Sequence, residues 1–373
     1  MHVDELPTPQ VLIDHRRARR NIDRVQQLAD AAGMRLRPHA KTHKSPVIAG
    51  WQLERGAVGV CCAKVGEAEV FAAAGIQDIR LPYPVNPSNA ARITALMNNA
   101  AVSIIVDHPD VTRGWSDAMR AAGRQLDVLI KVDVGFHRCG IDPGATALDF
   151  VRAVAALPGL RLRGLLSHAG HGYHAASESE LAAIAAREAE ILLQLRDEAA
   201  RAGIALEEIS VGATPTLRFS AKQHGVTELR PGNYVYFDRT QVALGAASID
   251  DCALTVLATV VTKHEGRIIL DCGSKTLTND QARGIAKAPG FGAVLRGNGE
   301  DARAIDESLT VERLSEEHAT VRVEGRTALA PGDRVRVVPN HSCVVSNLVD
   351  YVRIVEDDRV VDTIPVAARG RIA

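Results

Sequence analysis

At 373 residues the chain is longer than one ordinary domain, and 46% hydrophobic against 24% charged residues is a globular composition, not a disordered one. A formal net charge of -1 gives no electrostatic case for nucleic acid or an anionic membrane as a partner. No run of about eighteen apolar residues predicts a membrane span.

The opening MHVDELPTPQ carries acid and proline but no apolar stretch, which argues against a signal peptide. PTPQVLIDH then reads as a strand. From about residue 34 to 240, short apolar runs alternate with helical patterns. The runs are MRLRPHAK, GVCCAKV, DIRLPYPV, VSIIVDH, LDVLIKVDVG, LRLRGLLSHAG, EEISVGATP and ELRPGNYVYF. Strand-helix alternation predicts parallel strands with helices outside, and eight strands close a (β/α)8 TIM-type barrel. An open doubly wound sheet is the competitor, weakened by the lack of a GxGxxG or Walker loop in the right context. One helix is well delimited: SESELAAIAAREAEILLQLRDEAARAG opens on a Ser177–Glu180 capping box and stops at Gly203.

After about residue 245 the texture becomes strand and turn: LTVLATVVT, GRIILDCG, HATVRVEG, DRVRVVPN and YVRIVEDDRVVDTIPV. This predicts a mostly antiparallel β domain. The division is residues 1–20 as a strand belonging to the β domain, 21–244 as barrel, and 245–373 as β domain. Six cysteines without a CxxC pair suggest reduced thiols and a cytoplasmic protein.

In a parallel barrel, chemistry gathers at the carboxyl ends of the strands. The first ends in His39, Lys41, Thr42 and His43, the fifth in Asp133, His137 and Arg138, the sixth in Ser167, His168 and His171. Lys41 is the nucleophile candidate, its amine depressed by desolvation and by nearby Arg37 and Lys44; a solvated basic loop is the plainer reading. A regular strand would put Arg37, His39, Lys41 and His43 on one face. GATPT (212–216) and PGNY (231–234) offer amides and hydroxyls suited to a phosphate. His341 and Cys343 in PNHSC would point the same way on a strand, as two metal ligands require; a buried cysteine beside a structural histidine is the alternative.

RPHAKTHKSP, KVDVGFHRCG, GLLSHAGHGY, VGATPT, RPGNYVYFD and PNHSC, in that order, resemble the D-serine dehydratase and D-threonine aldolase family, a branch of the fold-type III pyridoxal-phosphate enzymes that include alanine racemase. The resemblance runs from TPQVLID to PNHSC. It implies that Lys41 carries pyridoxal phosphate, that Arg138 faces its ring, and that His168 and Tyr173 line the site. Thr214, Gly232 and Asn233 would hold the phosphate. His341 and Cys343 would bind a divalent metal, zinc foremost, with manganese or magnesium as alternatives. A homodimer, each β domain closing over the other subunit's barrel, is also implied. Aldolases of this family tend to show a Gly-Thr-Gly loop and a His-Asp metal pair, so GATPT, PGNYV and the His-x-Cys pair favour a dehydratase of D-3-hydroxyamino acids, D-serine or D-threonine foremost, giving a 2-oxo acid and ammonia. Retro-aldol cleavage to glycine and an aldehyde is the alternative; a racemase or a non-catalytic pyridoxal-phosphate carrier ranks lower.

Overall fold

The computed structural model describes residues 1–286, 288–296 and 304–373. After β1 (Gln10–Asp14), eight strands follow in the barrel region: β2 (Arg35–Leu36), β3 (Val60–Cys61), β4 (Asp78–Pro84), β5 (Ala101–Val106), β6 (Leu126–Lys131), β7 (Leu160–Leu166), β8 (Glu208–Val211) and β9 (Glu228–Leu229). All are parallel, in the order β2-β9-β8-β7-β6-β5-β4-β3. A parallel bridge from His39 to Cys61, with Cys61 N–H donating to Pro38 O at 2.8 Å, joins the two ends and closes the barrel. These are the eight runs read from the sequence. Their apolar character follows from burial on both faces, inside the barrel and against the outer helices.

The helix Glu178–Arg201 shows how the outer ring is set. Ser177 Oγ accepts from Glu180 N–H at 3.1 Å, and Gly203 adopts φ +81° just past the last turn. Leu181, Ala185, Leu192, Leu195 and Ala199 are buried along its inner face. Each leucine so buried contributes about 1.5–3 kcal/mol.

The second sheet holds β10 (Leu254–His264), β11 (Arg267–Leu270), β12 (Ala293–Val294), β13 (Leu309–Leu314), β14 (Ala319–Val323), β15 (Arg334–Val338), β16 (Tyr351–Glu356) and β17 (Arg359–Pro365). Its path is β13-β14-β11-β10-β1-β16-β17, with β15 pairing β10 and β12. Every pairing is antiparallel except β1 with β16. Thus β1 lies in this sheet, and the helix His15–Ala31 leads from it into the barrel.

The amino-terminal end of the barrel interior is charged. Arg37 Nε donates to Glu228 Oε2 at 2.9 Å and its other nitrogens grip Asp78. Arg80 bridges Glu228 and Glu208 and donates to Ser103 Oγ at 2.9 Å. Because each charge has a partner, the network can sit where bulky aliphatic layers are usual.

Candidate active site at the barrel mouth

The carboxyl ends of the strands and the second domain enclose a cavity of about 400 Å³. Lys41, Arg138, His168, Tyr173, Thr214, Gly232, Asn233, His341 and Cys343 all line it. Residues from six separate chain segments therefore meet at one place.

The local backbone differs from the strand expected at the first of these. Regular pairing stops at Leu36, and residues Ala40–Thr42 form a 3-10 turn in which the His39 ring accepts from Lys41 N–H at 3.4 Å. The turn breaks the alternation. His39, Lys41 and Thr42 reach the cavity, but Arg37 points into the barrel network. His43 packs away from the cavity, its ring 3.3 Å from Gln52 Oε1 and edge-on to Phe71, and burial lowers its pKa to about 4. Nor do the neighbouring cations act as expected: Lys44 pairs with Glu67 at 3.1 Å. The Lys41 amine is still depressed, first by burial within the cavity walls and then by Arg138, against an opposing pull from Cys343.

Two further expected strand-end groups lie elsewhere. Asp133 Oδ1 accepts the N–H groups of Gly135, Phe136 and His137 at 2.9–3.0 Å, so it shapes the loop, and His137 stands out in solvent. What that loop delivers is Arg138, whose guanidinium lies 5.0 Å from the Phe136 ring. Phe136 in turn meets His168 edge-on at 5.8 Å, and His168 Nδ1 lies 2.6 Å from Gly212 O. Burial, then Lys131 and Lys41, hold the His168 ring neutral, so Nδ1 is the donor and Nε2 an acceptor. Burial raises the Tyr173 phenol, keeping its proton.

The two small loops make a cradle. Thr214 is 4% exposed and its Oγ1 is buried with no hydrogen-bond partner among the described residues. A Cβ at Gly212 would lie 3.0 Å from the Arg230 backbone, and one at Gly232 would lie 3.0 Å from Thr42 Oγ1. Asn233 differs from expectation in its side chain: Nδ2 donates to Asp238 Oδ2 at 2.6 Å and Ser342 Oγ at 3.1 Å. Only its backbone is available to an anion. An orphaned hydroxyl beside side-chain-free backbone, with an amine-bearing turn next to it, fits the phosphate and aldehyde ends of pyridoxal phosphate.

His341 and Cys343 are not on a strand. β15 ends at Val338, and His341 precedes the helix Ser342–Leu348, whose first N–H is taken by Asp238 Oδ2 at 3.0 Å. Pro339 cannot donate to a continuing ladder, and Asp238 captures the chain into a helical turn. The pair nevertheless converges. Burial opposes charge on His341, but hydrogen bonding to Cys343 and the nearby Asp238 and Asp280 carboxylates push its pKa up to about 10, and His341 draws the Cys343 thiol down against burial. His341 Nδ1 sits 2.6 Å from Asp280 Oδ2, the carboxylate–histidine arrangement that steadies a metal ligand. No cluster of three or more His, Cys, Asp or Glu side chains suited to a metal occurs among the described residues. A nitrogen and a thiolate sulfur fit a zinc-type ion that keeps open positions. Asp280 and Arg283 were missed in the sequence because NDQARG carries no periodic or motif signal, and Asp238, the last residue of the RPGNYVYFD motif, was given no role there.

Residues 13–240 match the alanine racemase N-terminal domain model, and residues 253–355 match a putative serine dehydratase domain. The chain belongs to the D-serine dehydratase and D-threonine aldolase family. Among its relatives, a D-threonine aldolase of Arthrobacter sp. is 36% identical over 97% of this chain and 93% of that protein. A D-threo-3-hydroxyaspartate dehydratase of Delftia sp. is 34% identical over 91% of each. The solved Delftia sp. HT23 enzyme superposes with a TM-score of 0.91 at 32% identity, covering 98% of both chains. An alanine racemase of Clostridium difficile, 13% identical with a TM-score of 0.71, shares the fold. The family's fold is the fold-type III pyridoxal-phosphate fold, as the motifs implied. No described helix is long and apolar enough to cross a membrane.

Proposed function

We propose that this family member is a pyridoxal-phosphate- and divalent-metal-dependent lyase that dehydrates a D-3-hydroxyamino acid to a 2-oxo acid and ammonia. The observation that carries this is the convergence of the Lys41 amine, the orphaned Thr214 hydroxyl and the His341–Cys343 pair in one cavity. The Delftia dehydratase supports the metal assignment. It has been solved with a histidine and, two positions on, a cysteine replaced by alanine, the cysteine variant in the metal-free form. His341 and Cys343 have that spacing.

Bound here, the cofactor supplies an electron sink at Cα and the metal a Lewis acid for the β-oxygen. Lys41 is the covalent anchor and then, with its amine made easier to deprotonate by desolvation and Arg138, the base that takes the Cα proton. Thr214 Oγ1 and the backbone of Gly232 and Asn233 hold the phosphate. Arg138 faces the ring, and His168 and Tyr173 fix the orientation around it. His341 and Cys343 would hold the ion, which would act as the Lewis acid for the substrate's hydroxyl. Asp280 keeps the His341 ring turned toward that task. As the Cβ–O bond breaks, the proton that Lys41 took from Cα balances the departing hydroxide as one water, and hydrolysis of the enamine product with a second water gives the oxo acid and ammonia. The reading also makes the chain a homodimer.

One observation favours a second reading. The Arthrobacter relative is a D-threonine aldolase, and retro-aldol cleavage needs the β-hydroxyl proton removed instead of the Cα proton. Incubation with D-serine and D-threonine, assaying pyruvate, 2-oxobutyrate and glycine, decides between them. Oxo acid and ammonia in equal amounts are expected; glycine with no oxo acid overturns the dehydratase assignment.

A further inference from the structure

The cavity rim carries a cation that the proposed chemistry does not use. Arg283 lines the cavity, and its Nη1 lies 3.3 Å from His174 Nε2, so the imidazole accepts from the guanidinium. No described carboxylate forms an ion pair with Arg283, and the guanidinium has further N–H donors beyond the one His174 accepts.

The chain holds this residue in place from both sides. Three positions before it, Asp280 is bound to His341 Nδ1, and Asn340 Nδ2 donates to Asp280 O at 3.0 Å. Directly after it, a Cβ on Gly284 would lie 2.7 Å from the Ala243 carbonyl carbon, and Ala286 N–H donates to Ala243 O at 2.9 Å. Arg283 therefore bridges the Tyr173–His174 turn and the segment carrying His341. That is the side of the cavity where the substituent on Cβ would lie, beside the groups assigned to the β-oxygen. The nearby carboxylates are engaged: Asp280 by His341, and Asp238 by Asn233, Gln241 and Ser342. Their repulsion of an incoming anion is reduced accordingly.

We infer that Arg283 is a specificity-determining residue that binds a second carboxylate, on Cβ of the substrate, and so selects 3-hydroxy-D-aspartate-type acids over D-serine and D-threonine. This rests on the lyase reading above and names its substrate class. Arg283 is exposed at the cavity rim, so its charge-assisted hydrogen bonds to a carboxylate are partly screened by solvent, and their loss should change selectivity about 3- to 10-fold.

The test compares the holoenzyme with Arg283→Gln and Arg283→Lys. The ratio of kcat/KM for D-threo-3-hydroxyaspartate to that for D-serine should be well above one in the wild type. It should fall about 3- to 10-fold in Arg283→Gln and recover in part in Arg283→Lys. A second readout needs no turnover: the ratio of Kd for D-alanine to that for D-aspartate, measured by calorimetry, should shrink by a similar factor. Equal losses on all substrates and ligands would show an α-carboxylate or structural role and overturn the inference. Unchanged ratios overturn it too. If no substrate is turned over while the D-aspartate preference is present and lost in Arg283→Gln, the lyase reading fails and the carboxylate site stands.

Discussion

Cys343 Sγ lies 3.3 Å from Thr42 Oγ1, across 301 residues of chain. That contact ties the second domain to the turn that carries Lys41, and Ser346 Oγ reinforces it by donating to Thr42 O at 2.8 Å. Amine and thiol are thereby held at fixed separation on two domains, as a reaction that deprotonates Cα and departs from Cβ requires.

Removing the metal separates the two halves of the site. Dialysis against a chelator should leave cofactor absorbance intact and abolish turnover, with zinc or manganese restoring it. His341→Ala and Cys343→Ala should lower kcat by at least about 100-fold, and Asp280→Asn by about tenfold, through the ring it steadies. Full activity after thorough chelation would remove the pair from the chemistry.

Thr214→Val keeps shape and deletes the unpartnered hydroxyl. Titration of the apo protein with pyridoxal phosphate should show affinity lower by about 10- to 100-fold, the worth of one hydrogen bond to a charged group. Thermal stability without cofactor should hold or rise, because a buried unpaired oxygen is lost. Unchanged affinity would place the phosphate elsewhere.

Stability below neutral pH should follow Glu228. Burial alone would raise its carboxyl pKa, but Arg80 and Arg37 outweigh it and hold the value below the ordinary range. A depressed folded-state pKa means stabilisation that is complete above the unfolded value of about 4.3 and lost as pH falls below it. Glu228→Gln leaves buried guanidinium groups underpaired and should cost about 3–5 kcal/mol at pH 7 in urea unfolding. The difference from wild type should narrow as the pH is lowered through 4. A constant difference would mean the loss is steric.

The eight barrel strands were legible because burial on both faces leaves continuous apolar runs. The helix at Ser177 was legible because its cap and stop residues are local signals. The motif residues that the fold gathers around one cavity were legible in the sequence, but their local geometry was not. Whether Lys41 sits on a strand or a 3-10 turn depends on His39 capping the turn, and whether His341 opens a helix depends on Asp238, about a hundred residues earlier. Arg37 looked like a neighbour that would depress Lys41. Its partners, Asp78 and Glu228, come from distant strands, and only the closed barrel brings them together. Asp280 and Arg283 sit in a segment whose placement is set by what it packs against, not by its own pattern.

The most direct test of the account is covalent. Protein loaded with pyridoxal phosphate, reduced with borohydride and digested should yield a single modified peptide, with the label on Lys41, and Lys41→Ala should yield none. Lys131, the other lysine lining the cavity, also has a depressed amine, lowered by burial to about 7. A label on Lys131, or no label on either, would contradict the account.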